Sequence, residues 1–210
     1  MGKFKLIALA AAFSALMALS VNQKIIVVDA GHGGWDPGKI SRDNHEEAAI
    51  NLEIAEQLQV LLEAGGAIVF RTRIDDVALG DTKRTDLRAR TAMPAEMQAD
   101  LFISIHQNAF PQANVKGAQA FYNEGSQDSR RLAEAIQTRI CSSLDPENRK
   151  KAKGDKAYFL LKETATTAVI VECGFLTNDE DVARLVNEEY QRKIAWAIYL
   201  GIADYFAQGL

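Results

Sequence analysis

Six short runs rich in β-branched and aromatic residues alternate along this chain with longer segments whose apolar positions recur every three or four residues. A short apolar run between turn signals reads as a buried strand, while recurrence at i, i+3, i+4 and i+7 reads as one face of a helix. The expected strands are residues 24–29 (KIIVVD), 67–72 (AIVFRT), 101–106 (LFISIH), 117–122, 157–161 and 168–172. Helices are expected over 47–63, where Ile50, Ile54, Leu58, Leu61 and Leu62 share a face, and over 81–98 and 127–142. One or two more close the chain over 179–207. Pro94 should disturb the second helix, because proline lacks the backbone donor. Strands alternating with helices build an α/β sheet covered on both sides. The expectation is one domain with a mostly parallel or mixed central sheet of about six strands and helices on both faces.

Residues 1–20 stand apart. Lys3 and Lys5 precede an apolar run from Leu6 to Leu19 broken only by Ser14, and Ala18 and Ser20 are small residues suited to cleavage after position 20. This is the layout of a secretory leader, and the run falls short of the ~20 apolar residues that span a bilayer. Residues 1–20 are therefore expected to be a signal peptide or N-terminal anchor, the only membrane contact, and residues 21–210 an exported domain. The formal net charge is −4, and removal of the leader takes two lysines with it. An acidic domain lacks the clustered cations that nucleic acid rewards, so nucleic acid is excluded as a partner. Cys141 and Cys173 are too few for a disulfide framework and are expected to be small buried hydrophobes.

Four residues carry the chemistry. His32 follows the first strand between Gly31 and Gly33, Glu47 opens the first helix, His106 ends the third strand and Glu172 ends the last. In open α/β sheets the site forms where strands end and loops gather, so this order brings distant residues together. Two imidazoles and a carboxylate are the ligand set of a catalytic zinc that keeps one position open for water. A further carboxylate, not bound to metal, is what such a site needs as general base. The ligand spacings are too wide for a zinc finger or for HExxH on one helix, so placement at strand ends rather than spacing points to the metal. Asp29, Asp36 and Asn108 are candidates to orient the ligands by hydrogen bonding. His45 and Glu46 compete with Glu47 for the ligand role. Arg71 and Arg73 are read as solvated surface residues, with contact to substrate carboxylates as the alternative.

Taken in order, VVDAGHGGWDPG, the glutamate five residues before Leu52, RTR with Asp75-Asp76, Arg90-Thr91, ADLFISIHQNA and VECGFLTN resemble the zinc-dependent N-acetylmuramoyl-L-alanine amidases of the amidase-3 type. The chain is most similar to the small germination-specific, spore-cortex members. The resemblance implies one zinc ion per chain on His32, Glu47 and His106, with Glu172 as the catalytic carboxylate. It favours Glu47 over its neighbours, and Glu47 also shares a helix face with Ile50 and Ile54. The implied substrate is peptidoglycan, cut at the amide between the lactyl group of N-acetylmuramic acid and the L-alanine of the stem peptide. The implied setting is the cell wall, in cortex maturation between the membranes of a developing spore, with an activating protein as a candidate partner. Regular elements nearly fill the interval from His106 to Glu172, which leaves no room for the long blocking insertion of gated relatives, so an open site is expected. Two other functions fit the same residues: a zinc peptidase acting within the stem peptide, and a catalytically silent wall-binding or regulatory module. A substrate with the peptide but no muramic acid separates the peptidase from the amidase.

Overall fold

Hydrogen bonds between six strands decide the architecture. The computed structural model describes residues 21–208, so the expected leader lies outside the described residues. The elements, in chain order, are β1 (Ile25–Ala30), α1 (Glu47–Ala64), β2 (Ile68–Arg71), α2 (Lys83–Glu96), β3 (Leu101–Asn108) and β4 (Gln119–Asn123). They continue with α3 (Gln127–Arg139), β5 (Lys153–Asp155), α4 (Phe159–Glu163), β6 (Thr167–Phe175), α5 (Asp179–Leu185) and α6 (Glu188–Ala207). All six strands form one sheet in the order β2-β1-β3-β6-β4-β5. The four strands from β2 to β6 run parallel, β4 is antiparallel to β6, and β5 is parallel to β4. The sheet is therefore mixed, with a parallel centre.

Side chains alternate across a strand, so each strand feeds two cores. Ile26 and Val28 of β1, Ile103 and Ile105 of β3, and Val169 and Val171 of β6 enter one cluster with α1, α3 and α6. Val27, Phe102, Ala168 and Ile170 face the opposite side and pack with Leu87 and Met93 of α2 and with Leu160 and Leu161 of α4. The larger cluster holds Ile54, Leu58, Leu132, Ile136, Ile198 and Ile202, each fully buried. Each such side chain contributes about 1.5–3 kcal/mol by leaving water. Gly201 sets how closely α6 crosses α3: a Cβ there would lie 2.4 Å from the Ile136 Cα. Among the described residues no helix is long and apolar enough to cross a membrane.

Two local expectations are corrected. Residues 157–161 are not a strand; the fifth strand is the three-residue β5, and the apolar pair Leu160-Leu161 belongs to α4. The Asp155 Oδ1 accepts from the backbone N–H groups of Ala157 and Tyr158 at 2.6 and 3.0 Å, which turns the chain into the helix. Pro94 does not break α2, which runs to Glu96 with Pro94 buried within it. The helix ends within the next turn, so the proline removes only one bond near the end. α2 starts at a reciprocal cap, in which the Thr82 side chain accepts from the Thr85 N–H and the Thr85 side chain from the Thr82 N–H. The closing helical region divides in two because the Asn187 side chain caps α6 by accepting from the Tyr190 N–H. Both cysteines are free; Cys173 is buried and Cys141 half-buried.

Candidate active site

Period-two alternation sets the chemistry at the C-terminal ends of the parallel strands. On β3 the residues Phe102, Ser104 and His106 share a face, and β6 matches them with Ala168, Ile170 and Glu172. The register pairs His106 directly with Glu172. One row below, β1 places Asp29 beside Ser104. The sheet thus carries a layer of apolar residues, then a polar row, then the His106–Glu172 pair at its rim.

The other two residues come from the connection after β1. His32 sits in that loop with φ +62°, a left-handed conformation that costs a non-glycine residue roughly 1–2 kcal/mol. Its neighbours hold it there. The Arg90 Nη2 donates to the His32 carbonyl at 2.8 Å, and the ring Nδ1 lies 2.8 Å from the Asp36 Oδ2. An Nδ1–H donated to Asp36 leaves Nε2 bare and directed into the site. Glu47, buried at the first turn of α1, presents Oε1 at 3.3 Å from the His32 Nε2 and 2.9 Å from the His106 Nδ1. Backbone amides fix that carboxylate: Gln107 N–H donates to Oε1 at 3.1 Å and Lys39 N–H to Oε2 at 2.9 Å. Burial raises the affinity of Glu47 for a proton, but the two histidines beside it outweigh this and hold the carboxyl well below the usual range.

One donor atom from each of His32, Glu47 and His106 lies within 4.8 Å of the others. Ligands on a tetrahedral zinc, at about 2.0–2.1 Å from the ion, stand about 3.3 Å apart. The His32–Glu47 separation matches that spacing and the His106–Glu47 separation is somewhat shorter, so the donor set suits a zinc ion in number and type. The Gly31 position explains part of the fit. A Cβ on it would lie 2.2 Å from the His106 Cε1, so only glycine lets the imidazole lie against the end of β1.

Glu172 stands beside this group. It is buried, its Oε1 accepts from the Tyr158 hydroxyl at 3.2 Å, and its Oε2 has no hydrogen-bond partner. Burial pushes its carboxyl above the usual range; His106 opposes this and the negative charge of Glu47 adds to it. An elevated carboxyl next to a metal-type ligand set has the properties of a general base. The cleft of about 410 Å³ is lined by these residues together with Lys39, Lys83, Asn108 and Tyr158. His32 and His106 each keep 16% of their side-chain surface exposed, so solvent reaches the site.

Residues 26–204 match the family model described as N-acetylmuramoyl-L-alanine amidase. The chain belongs to this amidase-3 family. Over 199 residues it is 34% identical to the germination-specific N-acetylmuramoyl-L-alanine amidase of Bacillus subtilis, an alignment covering 91% of this chain and 83% of that one. The CwlD amidase of Clostridioides difficile, solved in complex with the GerS lipoprotein, superposes with a TM-score of 0.84 at 40% identity, covering 87% of this chain and 98% of that one. A second N-acetylmuramoyl-L-alanine amidase, from Clostridium difficile 630, gives a TM-score of 0.79 at 30% identity, covering 88% and 97%. The enzyme is accordingly a peptidoglycan hydrolase that cuts the N-acetylmuramoyl–L-alanine amide.

Within this amidase several sequence-based assignments change. Arg73 is 3% exposed rather than solvated. Its guanidinium donates to the carbonyls of Ala30, Gly31, Ala48 and Asp75, tying the end of β1 to the start of α1. Arg71 is half-buried, not solvated, with Nε and Nη1 buried and without partners. Asp36 does orient a candidate ligand, but Asp29 does not: it accepts from Arg90 Nη1, Thr72 and Ser104 at 2.7, 2.7 and 2.6 Å. Asn108 lines the cleft and uses its side chain on the Ala109 N–H. His45 and Glu46 are exposed, while Glu47 is buried and lies with the two histidines. Residues the sequence reading passed over include Asn51, whose Nδ2 donates to the Gly31 carbonyl at 3.0 Å and whose Oδ1 accepts from Gln107. The signal for Asn51 was present: it stands one helical turn after Glu47, a polar residue on an otherwise apolar face.

Proposed function

We propose that this amidase holds one zinc ion through the His32 Nε2, the Glu47 Oε1 and the His106 Nδ1, with Glu172 as general base. The observation that carries the reading is the convergence of those three donors beside Glu172, the in-register neighbour of His106. When bound, zinc supplies Lewis-acid polarisation of the scissile carbonyl and a water acidified towards a pKa of about 7. The Glu172 Oε2 takes the proton from the attacking water and delivers it to the departing amine of L-alanine. Asp36 fixes the tautomer of His32, and Gln107 and Lys39 hold the Glu47 carboxylate from their backbone amides. Lys39 and Lys83 line the cleft, where they attract the carboxylates of a stem peptide.

The setting we propose is the wall of a spore-forming cell, in cortex maturation, with export directed by residues 1–20. The resemblance to a germination-specific relative supports this. The CwlD neighbour was solved with a lipoprotein, which supports a protein partner of that kind here. The test is incubation of residues 21–210 with peptidoglycan, with and without zinc, and mass spectrometry of the products. Zinc-dependent release of stem peptides beginning with L-alanine is expected. Cleavage inside the stem peptide, or on peptide lacking muramic acid, would replace the amidase with a peptidase.

A further inference from the structure

Among the described residues, Tyr158 is the one phenol lining the catalytic cleft. Three separate restraints fix it. Its backbone N–H is held by Asp155 at the start of α4. Its ring meets Phe121 edge-on, with centroids 5.4 Å apart and planes at 61°. Its hydroxyl donates to the Glu172 Oε1 at 3.2 Å. Phe121 lies on β4, which pairs with β6 through Phe121–Ile170, so the surface supporting the ring is built on the strand that carries Glu172.

A carboxylate presents two equivalent oxygens, and a partner held on one leaves the other free to receive a proton. Glu172 meets this condition: Oε1 has the phenol, while Oε2 is buried with no partner. The geometry points to Tyr158 as the positioning residue of the reaction, its hydroxyl locking the Glu172 carboxylate so that Oε2 is the oxygen that receives the proton. Burial and the adjoining carboxylate push the phenol above its ordinary pKa, so it stays a donor at neutral pH. The inference rests on Glu172 being the general base.

The experiment is a double-mutant cycle on the zinc-loaded enzyme with a purified muropeptide. Tyr158→Phe keeps the ring on Phe121 and removes only the hydroxyl. It should lower kcat about tenfold, the size of one hydrogen bond to a charged group, with KM within about twofold. Zinc content and Tm should stay those of the parent. Glu172→Asp withdraws the carboxylate from the phenol and retains some turnover, so Tyr158→Phe added to it should cost little more. An unchanged kcat in Tyr158→Phe, additive losses in the double variant, or a loss accompanied by lower zinc content or Tm would each overturn the positioning role. Full turnover by Glu172→Gln would instead overturn the general-base reading, an outcome visible separately from the cycle.

Discussion

Replacing Gly31 with alanine adds one methyl group and should disable the enzyme. The new Cβ would lie 2.2 Å from the His106 Cε1 and 2.3 Å from Nε2, against an ordinary contact of 3.4–4 Å. The backbone of β3 cannot retreat, because it is hydrogen-bonded to β1 on one side and β6 on the other. The imidazole must therefore turn or shift by about 1 Å, and its Nδ1 leaves the Glu47 Oε1, now 2.9 Å away. A displacement of that size at a catalytic group costs on the order of 10²-fold in turnover. Overpacking of a filled site adds about 1–3 kcal/mol of destabilisation, which lowers Tm by roughly 2–4 °C per kcal/mol in a chain of this size. The assay pairs turnover on a muropeptide with zinc affinity by chelator competition, and circular dichroism reports the fold. We expect a folded protein with weakened zinc binding and turnover down by about two orders of magnitude. A Gly31→Ala enzyme with parental zinc affinity and kcat would refute the account of how His106 is seated.

Other expectations follow from the buried charges and the packing. Arg90→Met leaves Asp29 charged and unpaired and should cost about 3–5 kcal/mol, read from denaturant unfolding. Burial raises the Asp29 carboxyl, but Arg90, Ser104 and Thr72 win and hold it below its ordinary 3.8. Its contribution is therefore present above pH 3.8 and lost as pH falls through the lower folded value; Asp29→Asn should remove that acid dependence from a stability-versus-pH curve. Gly201→Val drives a side chain into Ile136 and should cost about 1–3 kcal/mol in thermal unfolding while leaving zinc binding unchanged. Chelation should abolish turnover and leave helical content intact, since two apolar clusters rather than the ligands carry the fold; added zinc should restore activity.

Much of this site was legible in the sequence because strand ends are. His106 and Glu172 close apolar runs, and period-two alternation together with strand order makes them neighbours. Glu47 was legible through the family's five-residue step to Leu52, with its helix face in support. The arginines were not. Most of the carbonyls and carboxylates that Arg73 and Arg90 satisfy lie 25–61 positions away, out of reach of any local pattern in the chain. Tyr158 was hidden for a different reason. Leu160 and Leu161 read as a strand when taken alone, and only the turn made by Asp155 converts the segment into the helix start that aims the phenol.

The in-register pairing of His106 with Glu172 has a consequence for how such enzymes change over time. Deleting or inserting one residue in β3 or β6 below that row would send one of the two side chains to the opposite face. Such a change would separate the pair, so length variation below that row has no gradual path. The loop between β3 and β4 carries no such parity. Lineages can lengthen it one residue at a time, and a designer seeking new wall substrates should graft there.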